Sequence, residues 1–222
     1  MAGKFIVGRV LLSVAICAQF GCSTCEMPLT SGGKSSAFNA VDSGRHVDIF
    51  RGLGGYMKGR EQLQARLAEC GISSTTWLSA DAKQVAKRIP QRRSRGDLSP
   101  VVLMGYATGG SGTRQVATIL KQHDIEVDTV ILIDPSFFEP VPCNVRHCFV
   151  AYRPEIWQKW NSIMRGNPVI TESDRTKITK INLTEKDFEG ALSDDSHLAI
   201  TSDPWVQSIL VSEAVKATAS SR

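Results

Sequence analysis

The stretch Gly105-Tyr106-Ala107-Thr108-Gly109 carries the clearest chemical signal in the chain. It follows the uninterrupted apolar run Val101-Val102-Leu103-Met104 and leads into a glycine-rich helix start with Gly110. Strand, sharp turn and helix in that order make the frame G-x-S-x-G, in which a strained turn exposes a nucleophilic serine at the top of a sheet. Gly105 and Gly109 supply its first and last glycines, and Ala107 stands where the serine belongs. A methyl group cannot attack a carbonyl, so the acyl-enzyme route is closed at that position. Thr108 is adjacent, but its side chain should point differently at a sharp turn, and Ser111 lies one helical turn deeper. The plainer role for both is to satisfy the first free N–H groups of a helix.

Other chemistries find no support. Gly105 to Gly110 has phosphate-loop spacing, but Ser111 occupies the position that needs lysine. No dinucleotide-binding G-x-G-x-x-G follows a strand. The four histidines, His46, His123, His147 and His197, are scattered without metal-ligand spacing. The sequence therefore predicts neither a metal nor a cofactor. Cys143 and Cys148 would lie about 16 Å apart in an extended segment, too far for a disulfide. Cys148 reads as a core residue of a strand.

The elements that must position these residues alternate. His46–Phe50 has the apolar–polar alternation of a strand, followed by a turn with Gly52, Gly54 and Gly55. Leu63, Leu67 and Cys70 have helical spacing, closed by Gly71. Thr75–Leu78 reads as a short strand. A helix then carries Ala82, Val85, Ala86 and Ile89 inward and ends in four arginines between Arg88 and Arg95, read as a solvated helix end. The run 101–104 suits a central parallel strand buried on both faces. A helix through Val116, Ile119 and Leu120 follows, then strands at Val127–Ile133, Val145–Tyr152 and Ile178–Leu183. Asp203-Pro204 should cap a last helix that turns Val206, Ile209 and Leu210 inward. The pattern implies an α/β fold, a three-layer α/β/α sandwich with a mostly parallel sheet.

With its elbow frame and strand order, the chain resembles the α/β-hydrolase superfamily, in particular small bacterial lipase- and thioesterase-like members, over most of residues 45–216. The resemblance implies roles for particular residues. Asp134-Pro135, at the end of 127–133, matches the acid position, and His197, just before the last helix, matches the catalytic histidine. The order Ala107, Asp134, His197 then reproduces nucleophile, acid and base. The carboxylate would hold the imidazole in its useful tautomer, and the backbone N–H groups of Leu53 and Thr108 would form the oxyanion hole. Residues 153–177, with Trp157, Trp160, Ile163 and Met164, occupy the place of an insertion over the site. They read either as a lid or acyl-binding wall, or as a short amphipathic helix burying both tryptophans.

The amino terminus has a different character. Lys4 and Arg9 precede an apolar run from Val10 to Phe20, too short to span a bilayer but suited to a signal peptide over residues 1–21. Gly21-Cys22 resembles a bacterial lipoprotein signal, in which Cys22 becomes the lipidated first residue. Residues 22–44, rich in Ser, Thr and Gly, read as a flexible tether, leaving 45–222 as the domain. The expected location is outside the cytoplasm, periplasmic or membrane-anchored through lipid on Cys22.

The 222 residues are 42% hydrophobic, enough for a real core and too apolar for a disordered chain. Six cysteines are too few for a disulfide scaffold. The 26 basic against 22 acidic residues give +4, and removing Lys4 and Arg9 leaves +2, too little to argue for nucleic acid. Three functional readings follow. One is a degenerate hydrolase that binds a small acyl or ester ligand without turnover. Another is an active ester or thioester hydrolase that uses an unrecognised nucleophile or water activated by His197. The third is a membrane-tethered interaction module with a vestigial pocket.

Overall fold

Six parallel strands form the centre of the protein, seen in a computed structural model that describes residues 44–136, 139–153, 169–183 and 197–219. The expected signal segment, Cys22 and the expected tether up to residue 43 lie outside the described residues. So do Trp157, Trp160, Ile163 and Met164. The described elements in chain order are β1 (His46–Phe50), α1 (Arg60–Glu69), β2 (Ser73–Trp77), α2 (Ala82–Ser94), β3 (Val102–Tyr106), α3 (Gly109–Lys121), β4 (Val127–Ile133), β5 (Val145–Tyr152), β6 (Lys177–Asn182) and α4 (Pro204–Ala219).

The sheet order is β2-β1-β3-β4-β5-β6, with every neighbouring pair parallel. The order reverses between β1 and β3. In open α/β sheets a crevice opens outside the carboxyl ends of the strands at such a reversal. The residues that follow β1 and β3 there are Arg51-Gly52-Leu53 and Ala107-Thr108.

Alternate residues of each strand feed two separate cores. Ile49, Met104, Ile131 and Ile133 pack with Leu63 and Leu67 of α1 and with Val206 and Leu210 of α4. Phe50, Leu103, Val130 and Leu132 pack with Val85 and Ile89 of α2 and with Val116 and Leu120 of α3. This is the expected three-layer sandwich, covered on both faces. Ile209 packs only partly buried against the first core, so α4 turns inward on Val206 and Leu210.

Some expectations are refined by position. The alternation in 46–50 suggests a strand with one wet face, but β1 lies between β2 and β3 and buries Asp48 too. The Asp48 carboxylate accepts a 2.7 Å hydrogen bond from Trp77 Nε1, which makes that burial tolerable. The arginines of α2 end the helix as expected. Arg88 lies over the Trp77 ring at 5.2 Å, and Arg92 pairs with Asp97 at 2.6 Å. That pairing, with a hydrogen bond from Ser99, holds the Asp97 carboxyl well below the usual carboxylate range. Asp203 caps α4 through its Oδ1, which accepts from the Trp205 and Val206 amides. Cys148 is fully buried, and burial pushes its thiol up to about 12. Among the described residues no helix is long and apolar enough to cross a membrane.

Candidate active site

Ala107 sits on the turn between β3 and α3 with φ +49°, in the left-handed region that non-glycine residues seldom adopt. Three backbone hydrogen bonds hold it there. Its N–H donates to the Ile133 carbonyl at 2.9 Å, and its carbonyl accepts from the amides of Gly110 (3.1 Å) and Ser136 (3.3 Å). The flanking glycines are required by close approach. A Cβ on Gly105 would lie 2.9 Å from the Gly109 carbonyl oxygen and Gly110 Cα. A Cβ on Gly109 would lie 2.2 Å from the Phe50 carbonyl oxygen. Thus α3 begins directly against the end of β1. The elbow is built in full, with a buried methyl group where its side chain would act.

The expected helix-start roles of Thr108 and Ser111 are not seen. Thr108 is the N-cap of α3 but makes no side-chain capping bond, and its carbonyl accepts from the Ser79 hydroxyl at 3.0 Å. Ser111 is exposed. The hydroxyl that bonds within this first turn belongs to Thr113, which donates to the Gly110 carbonyl at 2.8 Å.

Asp134 follows β4 with φ +45°, and its amide donates to Ala151 of β5 at 2.8 Å. Its side chain is fully buried. Since Ile133 accepts the Ala107 N–H, the carboxylate leaves the sheet one residue away from the elbow. Asp134 Oδ2 lies 2.5 Å from Nδ1 of His197. Its other oxygen, Oδ1, is buried without a hydrogen-bond partner. A carboxylate only accepts, so Nδ1 carries the proton in this pair and Nε2 presents its lone pair. Nε2 makes no hydrogen bond among the described residues.

Two tyrosines hold the histidine segment. The Tyr106 ring stacks on the His197 imidazole with centroids 5.2 Å apart, and its hydroxyl donates to the His197 carbonyl at 2.8 Å. The Tyr56 hydroxyl donates to the Leu198 carbonyl at 3.2 Å. No sequence pattern marks either tyrosine as a support. Tyr106 lies inside the elbow frame, but nothing in G-x-S-x-G assigns a task to the residue before the nucleophile. Around this segment Leu53, Tyr56 and Leu198 expose large apolar side chains, Leu53 to 77% and Leu198 to 55%.

The oxyanion candidates sit at the ends of adjacent strands. Thr108 directly follows the elbow, and Leu53 opens a short 3₁₀ turn (Leu53–Gly55) after β1. Gly109 joins the two loops through its close contact with Phe50 and Arg51.

The same architecture recurs in solved structures. Lipase B of Aspergillus fumigatus superimposes with a TM-score of 0.55 at 13% identity, over 80% of this chain and 54% of the lipase. The chain has an α/β-hydrolase fold. This α/β-hydrolase-fold chain therefore spans about half the length of that lipase. A thioesterase from the prodiginine biosynthetic pathway in Streptomyces coelicolor is also similar. It has a TM-score of 0.48 at 10% identity, over 88% of this chain and 98% of the thioesterase. No protein-family model and no curated protein sequence matches the chain. Within the α/β-hydrolase fold, Ala107, Asp134 and His197 occupy three neighbouring places: the elbow, the end of the next strand, and the segment before the last helix. The described residues hold no cluster of three or more metal-ligating side chains.

Proposed function

We propose that this chain is an exported α/β-hydrolase-fold protein whose elbow site binds a small acyl or ester ligand without turning it over. The observation that carries this reading is the pairing of a complete His197–Asp134 couple with an alanine at the elbow. A histidine oriented in this way takes the proton of an adjacent hydroxyl, and Ala107 supplies none. The exposed Leu53, Tyr56 and Leu198 favour an apolar ligand portion. Export, as a periplasmic protein or one anchored through Cys22, rests on Lys4, Arg9 and the apolar run to Phe20.

The test uses purified protein with short- and long-chain nitrophenyl esters and thioesters. No ester turnover that depends on both His197 and Asp134 is expected from the unmodified protein. Saturable binding of the matching acyl ligand should be retained. Turnover abolished by His197→Ala would show instead an active hydrolase that uses water or another nucleophile at this site. Absence of both turnover and ligand binding would favour the tethered interaction module.

A further inference from the structure

We propose that Thr179, His147 and Glu213 form a second nucleophile–base–acid relay, at the β6 edge of the sheet, that takes acyl groups from short-chain carboxylic esters. The relay is independent of the elbow. His147 and Thr179 are the third residues of β5 and β6, whereas Ala107 and Asp134 follow the carboxyl ends of β3 and β4.

The geometry sets the proton positions. His147 Nδ1 lies 3.3 Å from Glu213 Oε1, on α4, an ion-pair contact without hydrogen-bond alignment in this structure. His147 Nε2 lies 3.0 Å from the Thr179 hydroxyl oxygen. The negative charge of Glu213 beside Nδ1 favours the proton on that nitrogen. Nε2 is then the acceptor, and the Thr179 hydroxyl donates to it. That arrangement of hydroxyl, imidazole and carboxylate activates an alcohol as a nucleophile.

The charged surroundings are mixed. Thr179 and Lys177 face His147 from β6, Glu213 and Lys216 from α4, and Thr129 is its register partner on β4. Burial pushes the His147 pKa below its ordinary value. Glu213 opposes that shift, and Lys177 and Lys216 add to it. Lys216 Nζ also lies 3.5 Å from Glu213. The imidazole is therefore neutral, and able to accept a proton, at neutral pH. Thr179 is half-buried on β6, which is the edge strand among the described residues. Lys177 lies two residues earlier on the same face of that strand, where its ammonium can offset negative charge developing at a carbonyl oxygen.

The step balances without a cofactor. Thr179 Oγ1 bonds to the ester carbonyl carbon as its proton passes to His147 Nε2. The tetrahedral intermediate collapses, the bond to the leaving alkoxide breaks, and His147 returns the proton to it. Water, deprotonated by the same nitrogen, then releases the carboxylic acid and restores the threonine hydroxyl.

Full-length protein treated with p-nitrophenyl acetate tests this, with peptide mass spectrometry to place the acetyl group. Acetylation is expected at residue 179 in the unmodified protein and in Thr179→Ser, and is lost in Thr179→Val. It should slow about 100-fold in His147→Gln, the scale of general-base assistance. Melting curves check that each variant is folded. Should His147→Gln fail to fold, the pH profile of the unmodified protein decides. Acetylation at residue 179 must then fall on acidification as His147 takes up its proton. Acetyl found only on lysines, a rate unchanged in folded His147→Gln, or a flat pH profile would overturn the proposal.

Discussion

Nδ1 of His197 lies 2.5 Å from Oδ2 of Asp134, across 63 residues of sequence. The contact places the proton on Nδ1 and leaves Nε2 as the basic nitrogen, although position 107 carries only a methyl group. Asp134 is fully buried, and its second oxygen has no partner. The histidine is therefore the side-chain hydrogen-bond partner of this carboxylate among the described residues.

That pairing predicts strong coupling. His197→Ala should destabilise the protein by about 3 kcal/mol, because it leaves a buried carboxylate unpaired. Adding Asp134→Asn should restore part of the loss. A double-mutant cycle by urea unfolding should give a coupling energy of about 1–3 kcal/mol. Additive effects would show that the contact contributes little to folding.

The elbow makes a prediction of opposite sign at two substitutions. Ala107 holds φ +49°, which glycine adopts without penalty and a β-branched residue resists. Ala107→Gly should be neutral or stabilising by up to about 1 kcal/mol, and Ala107→Val destabilising by about 1–3 kcal/mol. Thermal melts would check the order, and equal effects of the two changes would contradict the described turn.

Much of this architecture is readable in the residues. The buried run 101–104 and the segment 130–133 of β4 are continuous and apolar, so they declare central strands, and β4 and β5 begin and end where expected. The placement of Asp134 and His197 followed from family order, not from any local pattern, because two residues 63 positions apart carry no shared periodicity. Tyr106 and Tyr56 were invisible as supports. A tyrosine at a strand end says nothing about which distant carbonyl its hydroxyl will reach. The roles expected of Thr108 and Ser111 failed because backbone carbonyls take the amides at this helix start, Gly110 N–H donating to Ala107 and Ser111 N–H to Thr108.

A pH prediction follows from His147. Burial lowers its folded pKa below the ordinary 6.5, so the unfolded chain takes up the proton first as pH falls. The contribution of this residue to stability is complete above pH 6.5 and is lost as pH drops from there through the folded value. The melting temperature should therefore fall between pH 7 and pH 5, and His147→Gln should make that fall shallower. Parallel curves for the two proteins would contradict the burial of a neutral imidazole.

The central claim is that an assembled base and acid await a nucleophile that Ala107 does not provide. Labelling at position 107 by a fluorophosphonate probe tests it most directly. In Ala107→Ser the probe should attach at that position, and the added change His197→Ala should abolish the attachment. The unmodified protein should show no labelling there. A folded Ala107→Ser protein that stays unlabelled at position 107 would contradict the account, as would labelling there that ignores His197.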